Sequence, residues 1–163
     1  MRLYPHRPPL AGARTVLLSS VASDAHTWNL VYLQLVLEEL GCRVINLGAC
    51  VPDRLLLAEC HSQQPDLVVL SSVNGHGYQD GLRVIEKLHA ALPQLPVMIG
   101  GKLGTAGPDP ARAEALRAAG AAGVFEQGGL GVEAFTRLVC GPLGSAEPVT
   151  AELTVARRRG AGA

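Results

Sequence analysis

The chain has no excess of charge of either sign: among its 163 residues, 14 Lys and Arg balance 14 Asp and Glu, and charged residues make up only 17%. Without a basic field there is nothing to hold a phosphate backbone, so no nucleic-acid partner is expected. The hydrophobic share of 48% excludes a disordered, highly charged chain. There is no apolar run of the roughly 18 residues that a membrane span needs. The start "MRLYPHRPP" lacks the apolar core of a secretory signal, and a cytoplasmic location away from membranes is the expectation. The four cysteines, Cys42, Cys50, Cys60 and Cys140, form no C-x-x-C pair, which argues against a zinc site and a disulfide framework. They are read as small core residues.

Strand-length apolar runs alternate with longer segments of helical period. "RTVLLSS" (Arg14 to Ser20) reads as a first strand, and Leu30, Leu33, Val36, Leu37 and Leu40 mark the buried stripe of a helix that stops at Gly41. "CRVINLG" is a second strand. "PDRLLLAECHSQQ" is a second helix with Pro52 in its first turn and Leu55, Leu56 and Cys60 facing inward. "DLVVLSS" lacks polar alternation, as a central parallel strand covered on both faces should, and leads through "VNGHGYQD" into a helix near "GLRVIEKLHAAL". "LPVMIGG", "PARAEALRAAG", "AGVFEQG" and "GVEAFTRLVCG" continue the alternation to five strand–helix units.

The expected fold is therefore α/β: a single doubly wound, flavodoxin-like five-stranded parallel sheet of order 2-1-3-4-5 with helices on both faces. The domain should span residues 14–140. Residues 1–13, with Pro5, Pro8 and Pro9, and residues 141–163, rich in Pro, Gly and Ala, show no periodic apolar face and are expected to be tails. The triplet Arg157 to Arg159 in the second tail is taken as solvated, although it could touch an acidic partner.

Ligands of open α/β sheets bind outside the carboxyl ends of the strands, where strand order reverses. Three loops meet there: "SVASDAHTW" after strand one, "SSVNGHG" after strand three and "GGKLGTAG" after strand four. They bring together small hydroxyls (Ser71, Ser72), backbone-permissive glycines and one ionisable pair, Asp24 and His26. A carboxylate that accepts the far ring N–H of a histidine fixes its tautomer and makes the other nitrogen a better metal donor. The plainer alternative is that Asp24 caps the first helix. Likewise Gly100-Gly101 is either a turn or a place where a Cβ would block something lying against the strand end. His6, His61 and His89 are assigned nothing, whereas His76, between two glycines, could serve a ligand or partner surface. The first loop has no glycine and so no G-x-G-x-x-G dinucleotide site. Ser71 and Ser72 stand where a receiver domain would place its Asp, Asp24 would repel a flavodoxin-type phosphate, and no G-x-S-x-G is present.

Taken together, "DAHTWN", "SSV" and "GG" resemble the D-x-H-x-x-G, S-x-L and G-G motifs of the cobalamin-binding domain, and "SDAH", "SSVNGHG" and "GGKLG" are most similar to the small subunit of glutamate (methylaspartate) mutase. The resemblance spans about residues 14 to 140. It implies a cofactor bound with its dimethylbenzimidazole base off cobalt, His26 as lower axial ligand, and Asp24 on the other ring nitrogen. It further implies cofactor contacts from Ser23, Ala25 and Thr27, a nucleotide tail running between the sheet and the first helix past Ser71, Ser72 and Val73, and room cleared by Gly100, Gly101, Lys102, Leu103 and Gly104. Two positions depart from the motifs. Asn29 replaces the glycine, where it tolerates φ > 0 but adds bulk, and Val73 replaces leucine, a mild loss in an apolar wall. Trp28 either packs under the first helix or covers the cofactor rim.

In related methyltransferases and light-sensing regulators a helical cap precedes the domain, while only 13 residues precede Arg14 here. The upper face is then expected to be covered by a large catalytic barrel subunit that holds the substrate. The implied function is the adenosylcobalamin-carrying subunit of a heteromeric carbon-skeleton mutase converting glutamate to 3-methylaspartate, an isomerase inactive without its partner. The alternatives are the small subunit of a coenzyme A-linked mutase, or a non-catalytic cobalamin carrier or sensor.

Overall fold

The computed structural model describes residues 12–126 and 131–141. The chain alternates strand and helix throughout: β1 (Thr15–Ser19), α1 (Trp28–Glu39), β2 (Arg43–Asn46), α2 (Asp53–Gln63), β3 (Leu67–Ser72), α3 (Gly77–Ala91), β4 (Val97–Gly101), α4 (Pro110–Ala118), β5 (Ala121–Glu126) and α5 (Gly131–Cys140). The strands form one parallel sheet in the order β2-β1-β3-β4-β5. Of the tails expected at 1–13 and 141–163, residues 1–11 and 142–163 lie outside the described residues.

Alternation along the strands sends successive side chains to opposite faces and divides the core in two. Leu17, Val68, Leu70, Val97 and Ile99 join Leu56, Ile85, Leu88 and Leu116 under α2, α3 and α4. Val16, Leu18, Val69 and Met98 join Leu30, Leu37, Phe135 and Val139 under α1 and α5. Every side chain of β3 is buried, which accounts for its lack of polar alternation. Gly41, at φ +84, ends α1 in the left-handed conformation that glycine accepts without strain. Arg14 clamps the other end of the same layer, donating to the carbonyls of Val139 and Gly141 where α5 finishes.

Three expectations are corrected. Leu55 is 44% exposed, and α2 packs through Leu56 and Cys60. Cys50 and Cys140 are exposed, so only Cys42 and Cys60 are core cysteines; burial pushes the Cys60 thiol up to about 11. The third helix begins at Gly77, ahead of the Gly81 start that its periodicity suggested. Glycines at 77 and 81 carry no apolar signal, but a Cβ at either would strike Ser72 or Ile99, so close helix–sheet packing recruits that turn.

Candidate functional site

Asp24 is the hub of the carboxyl edge. Its side chain is wholly buried, and both oxygens are saturated with donors: Oδ1 takes the backbone N–H of His26 at 3.0 Å and lies 2.6 Å from His26 Nδ1. Oδ2 takes the Val73 N–H at 2.6 Å and the Ser72 hydroxyl at 2.9 Å. Burial alone would raise the carboxyl pKa, but these donors outweigh it and hold the group below the usual carboxylate range. An ionised Asp24 can only accept, so His26 donates from Nδ1, and the neutral ring then presents its lone pair at Nε2. Nε2 has no protein partner among the described residues, and the His26 side chain is 49% exposed. Thr27, not Asp24, occupies the N-cap of α1, so the capping role is not what holds Asp24 in place.

The other loops lock this pair. Asn74 donates from Nδ2 to the Ser23 carbonyl at 3.0 Å and accepts the His76 N–H at 2.8 Å. The Ser23 N–H reaches Asp80 Oδ2 at 3.2 Å, and the Lys102 N–H reaches the Ser72 carbonyl at 2.8 Å. Asn74 escaped the motif-based reading because no motif position falls on it; its place between a strand end and the N-cap of a helix was the available signal.

Beside the pair opens a cavity of about 280 Å³ between the sheet and the α1–α5 layer. Trp28, Asn29, Tyr32, Leu33 and Val36 of α1 form one wall. Val69, Ser71, Met98 and Gly100 form the floor, and Phe125 with Phe135, in edge-to-face contact at 5.6 Å, closes the far side. Of the expected contacts, Ser71, Val73, Gly100 and Gly101 border the cavity. Ser72, Lys102, Leu103 and Gly104 do not: Ser72 turns to Asp24, Leu103 is buried in the opposite core, and a Cβ on Gly104 would collide with the Arg112 guanidinium. Ser23, Ala25 and Thr27 are exposed on the loop. Trp28 is 61% exposed at the rim and does not pack under α1. Gly101 has its own reason in the chain, since at φ +109 its Cβ would lie 2.1 Å from the Ser72 carbonyl.

Asn29 sits inside α1, 4% exposed, and is not among the residues with positive φ, so no glycine-like backbone is needed there. The apolar residues of the cavity wall were legible only as core; what distinguishes Val69 and Met98 is that each lies two positions before Ser71 or Gly100 and shares its face.

Fold and site together define a flavodoxin-like binding domain whose carboxyl edge presents a carboxylate-oriented histidine next to a deep, largely apolar cleft. Residues 14–136 match the B12 binding domain family, and the chain belongs to it. The chain is 34% identical over 89 residues to the glutamate mutase sigma subunit of Halobacterium salinarum, a match covering 55% of this chain and 60% of that one. It thus matches about three-fifths of that relative's length. Among solved structures, a cobalamin-binding protein from Desulfitobacterium hafniense superposes with a TM-score of 0.58 at 21% identity, covering 79% of this chain and 60% of the other. A LuxR-family response regulator from Aurantimonas sp. SI85-9A1 superposes equally well, with a TM-score of 0.58 at 17% identity over 77% of this chain and 82% of its own. The fold alone is common to both kinds of protein; the residues on the strand ends tell them apart.

Among the described residues no helix is long and apolar enough to cross a membrane, and no group of three His, Cys, Asp or Glu side chains could hold a metal ion. A single histidine nitrogen can complete the coordination of a metal already held by a macrocycle, and that is the donor set present here.

Proposed function

We propose that the chain binds cobalamin base-off, with His26 as the lower axial ligand, and acts as the small subunit of an adenosylcobalamin-dependent carbon-skeleton mutase. The 2.6 Å contact between Asp24 and His26 Nδ1 carries this reading, because it leaves Nε2 as a lone-pair donor at the carboxyl edge. The residues fit the group. The cleft beside His26 is lined mostly by apolar side chains, as a benzimidazole requires, and its lining reaches from Ser71 and Gly100 at the strand ends to Val36 on α1. Asp24 holds the ring proton on Nδ1, Ser72 and Val73 keep Asp24 ionised and fixed, and Ser71, Val73, Gly100 and Gly101 border the tail's path. When bound, adenosylcobalamin supplies a carbon-centred radical by homolysis of its cobalt–carbon bond. The chain contributes binding and orientation, and a large barrel subunit covers the upper face and holds the substrate. Relatives bearing the glutamate mutase sigma subunit name favour glutamate and 3-methylaspartate as the substrate pair. Asn29 in place of the motif glycine motivates one second reading, a carrier or sensor of cobalamin without a catalytic partner.

The test is an absorbance titration with hydroxocobalamin and adenosylcobalamin, wild type beside His26→Ala. The wild type is expected to give a saturable base-off, histidine-ligated spectrum and the variant to lose the histidine signature. No saturable change in the wild type would sink the reading.

A further inference from the structure

Asp24 sets where His26 stands, so whatever holds the backbone of Asp24 bears on the histidine as well. The peptide groups flanking Asp24 are bonded: its N–H donates to the Val21 carbonyl at 3.1 Å, its carbonyl accepts the Cys50 N–H at 2.9 Å, and the Ser23 carbonyl accepts from Asn74 Nδ2 at 3.0 Å. The first two bonds run between backbone groups. The third depends on one side chain, which lies two residues beyond the end of β3. Asn74 is itself held by an Asx turn, with Oδ1 accepting the His76 N–H at 2.8 Å just ahead of α3. The next residue, Gly75, donates its N–H to the Lys102 carbonyl at 3.1 Å, beyond the end of β4. The amide thus ties the loop that carries Asp24 to the ends of two central strands.

Two features call for asparagine here rather than its near-isostere aspartate. An ionised carboxylate has no proton to give the Ser23 carbonyl. Ser72 Oγ, moreover, has one proton and two acceptors in range, Asp24 Oδ2 at 2.9 Å and Asn74 Oδ1 at 3.1 Å. A charged acceptor bonds more strongly than a neutral one, so beside an amide the proton goes to Asp24, whereas a second carboxylate would compete for it. Ser23, Ala25, His26 and Thr27 are exposed, so packing does not fix the loop, and a binding group has to be held within about 0.5 Å of its productive place. On the reading of His26 as axial ligand, we infer that Asn74 is a positioning residue: its amide fixes the Ser23–His26 loop against the strand ends and leaves the Ser72 proton to Asp24.

The test uses the full chain, carrying histidine labelled with nitrogen-15, saturated with cob(II)alamin and measured by electron paramagnetic resonance. Ligation by the labelled ring gives a doublet splitting, distinct from the triplet of the cofactor's own base. The doublet is expected in the wild type and absent in His26→Ala. Asn74→Ala and Asn74→Asp are each expected to weaken cobalamin binding about tenfold and to lose doublet intensity even at saturation. Asn74→Asp keeps the Asx-turn acceptor but not the donor to Ser23, so a full doublet in that variant would overturn the inference. A full doublet at saturation in both variants would mark a merely structural role and overturn it too, as would a ligand-free variant whose circular dichroism shows an unfolded chain. No doublet in the wild type removes the axial-ligand reading and this one with it, whereas a wild-type doublet that both Asn74 substitutions leave intact removes this inference alone.

Discussion

The two faces of the sheet end differently at the carboxyl edge, although the same doublets feed both. On the α2–α3–α4 face, Ser72 is sealed into the protein, and Gly101, which also borders the cleft, is pinned against it by its backbone. Ser72 donates to Asp24, a Cβ on Gly77 would strike its side chain, and one on Gly101 would strike its carbonyl. On the α1–α5 face, their neighbours Ser71 and Gly100 border an open cleft. The period-two alternation of strands explains the Ser71-Ser72 doublet, in which one member serves the cavity and the other fixes the scaffold, whereas both Gly100 and Gly101 border the cavity and Gly101 is also held by its backbone. A site that must hold a histidine in one orientation while admitting a large ligand needs both kinds of face, rigid behind and vacant in front.

The largest effect is expected from breaking the sealed face. Gly101→Ala places a Cβ on the Ser72 carbonyl and asks an alanine to adopt φ +109, with no flexible side chain able to yield. A loss of roughly 3 kcal/mol or more is expected, measured by urea unfolding. The damage should extend to the Asp24–Ser72 contact and so to histidine ligation. An unchanged midpoint would show that the two faces are equally tolerant.

Filling the open face should do the reverse. Leu33 is partly buried on the α1 wall, and Leu33→Trp would occupy the cleft without crossing the sheet. Folding stability is expected to stay within about 1.5 kcal/mol of wild type, while cobalamin affinity falls by about a hundredfold or more. Undiminished binding in the titration would place the tail elsewhere.

How much of this was legible in the sequence follows the same division. Strand order, element count and the Asp24–His26 pair could be read because parallel strands, helix stripes and a charged pair in a loop leave strong local signals. The vacant face could not. Whether Val69, Met98, Val36 and Phe135 line a cleft or fill a core depends on how far α1 stands off the sheet, which no periodicity records. The segment Lys102 to Gly104 was drawn to the ligand by its motif, yet Leu103 is buried and Gly104 is shaped by Arg112, itself fixed on Glu126 at 2.8 Å. Contacts between distant elements decided those glycines. Asn29 differs again: of the two questions raised there, the left-handed backbone drops out because the residue is helical, and the amide is found bonded to Ser71.

The smallest effect concerns how the sealed face is held at low pH. Asp53, in the first turn of α2, receives two bonds from Arg83, at 2.8 and 3.2 Å, and one from Lys87 at 2.8 Å. Arg83 also bonds Asp80, the residue that takes the Ser23 N–H, so the cluster ties α2 and α3 to the histidine loop. The Arg83 contact, with help from Lys87, outweighs burial and brings the Asp53 carboxyl down from 3.8 to about 2. A depressed folded pKa means that the unfolded chain takes up the proton first. The resulting stabilisation is full above pH 3.8 and is lost as the pH falls towards about 2. Asp53→Asn should therefore cost about 1–2 kcal/mol at neutral pH, a figure discounted because Arg83 and Lys87 are half solvated, and almost nothing by pH 2. Urea midpoints of the two proteins should converge across that interval; parallel curves would mean that the ion pairs contribute nothing. Cobalamin binding at neutral pH is expected to change little, since Asp24 keeps all its own donors, and it is those donors rather than the outer charges that orient His26.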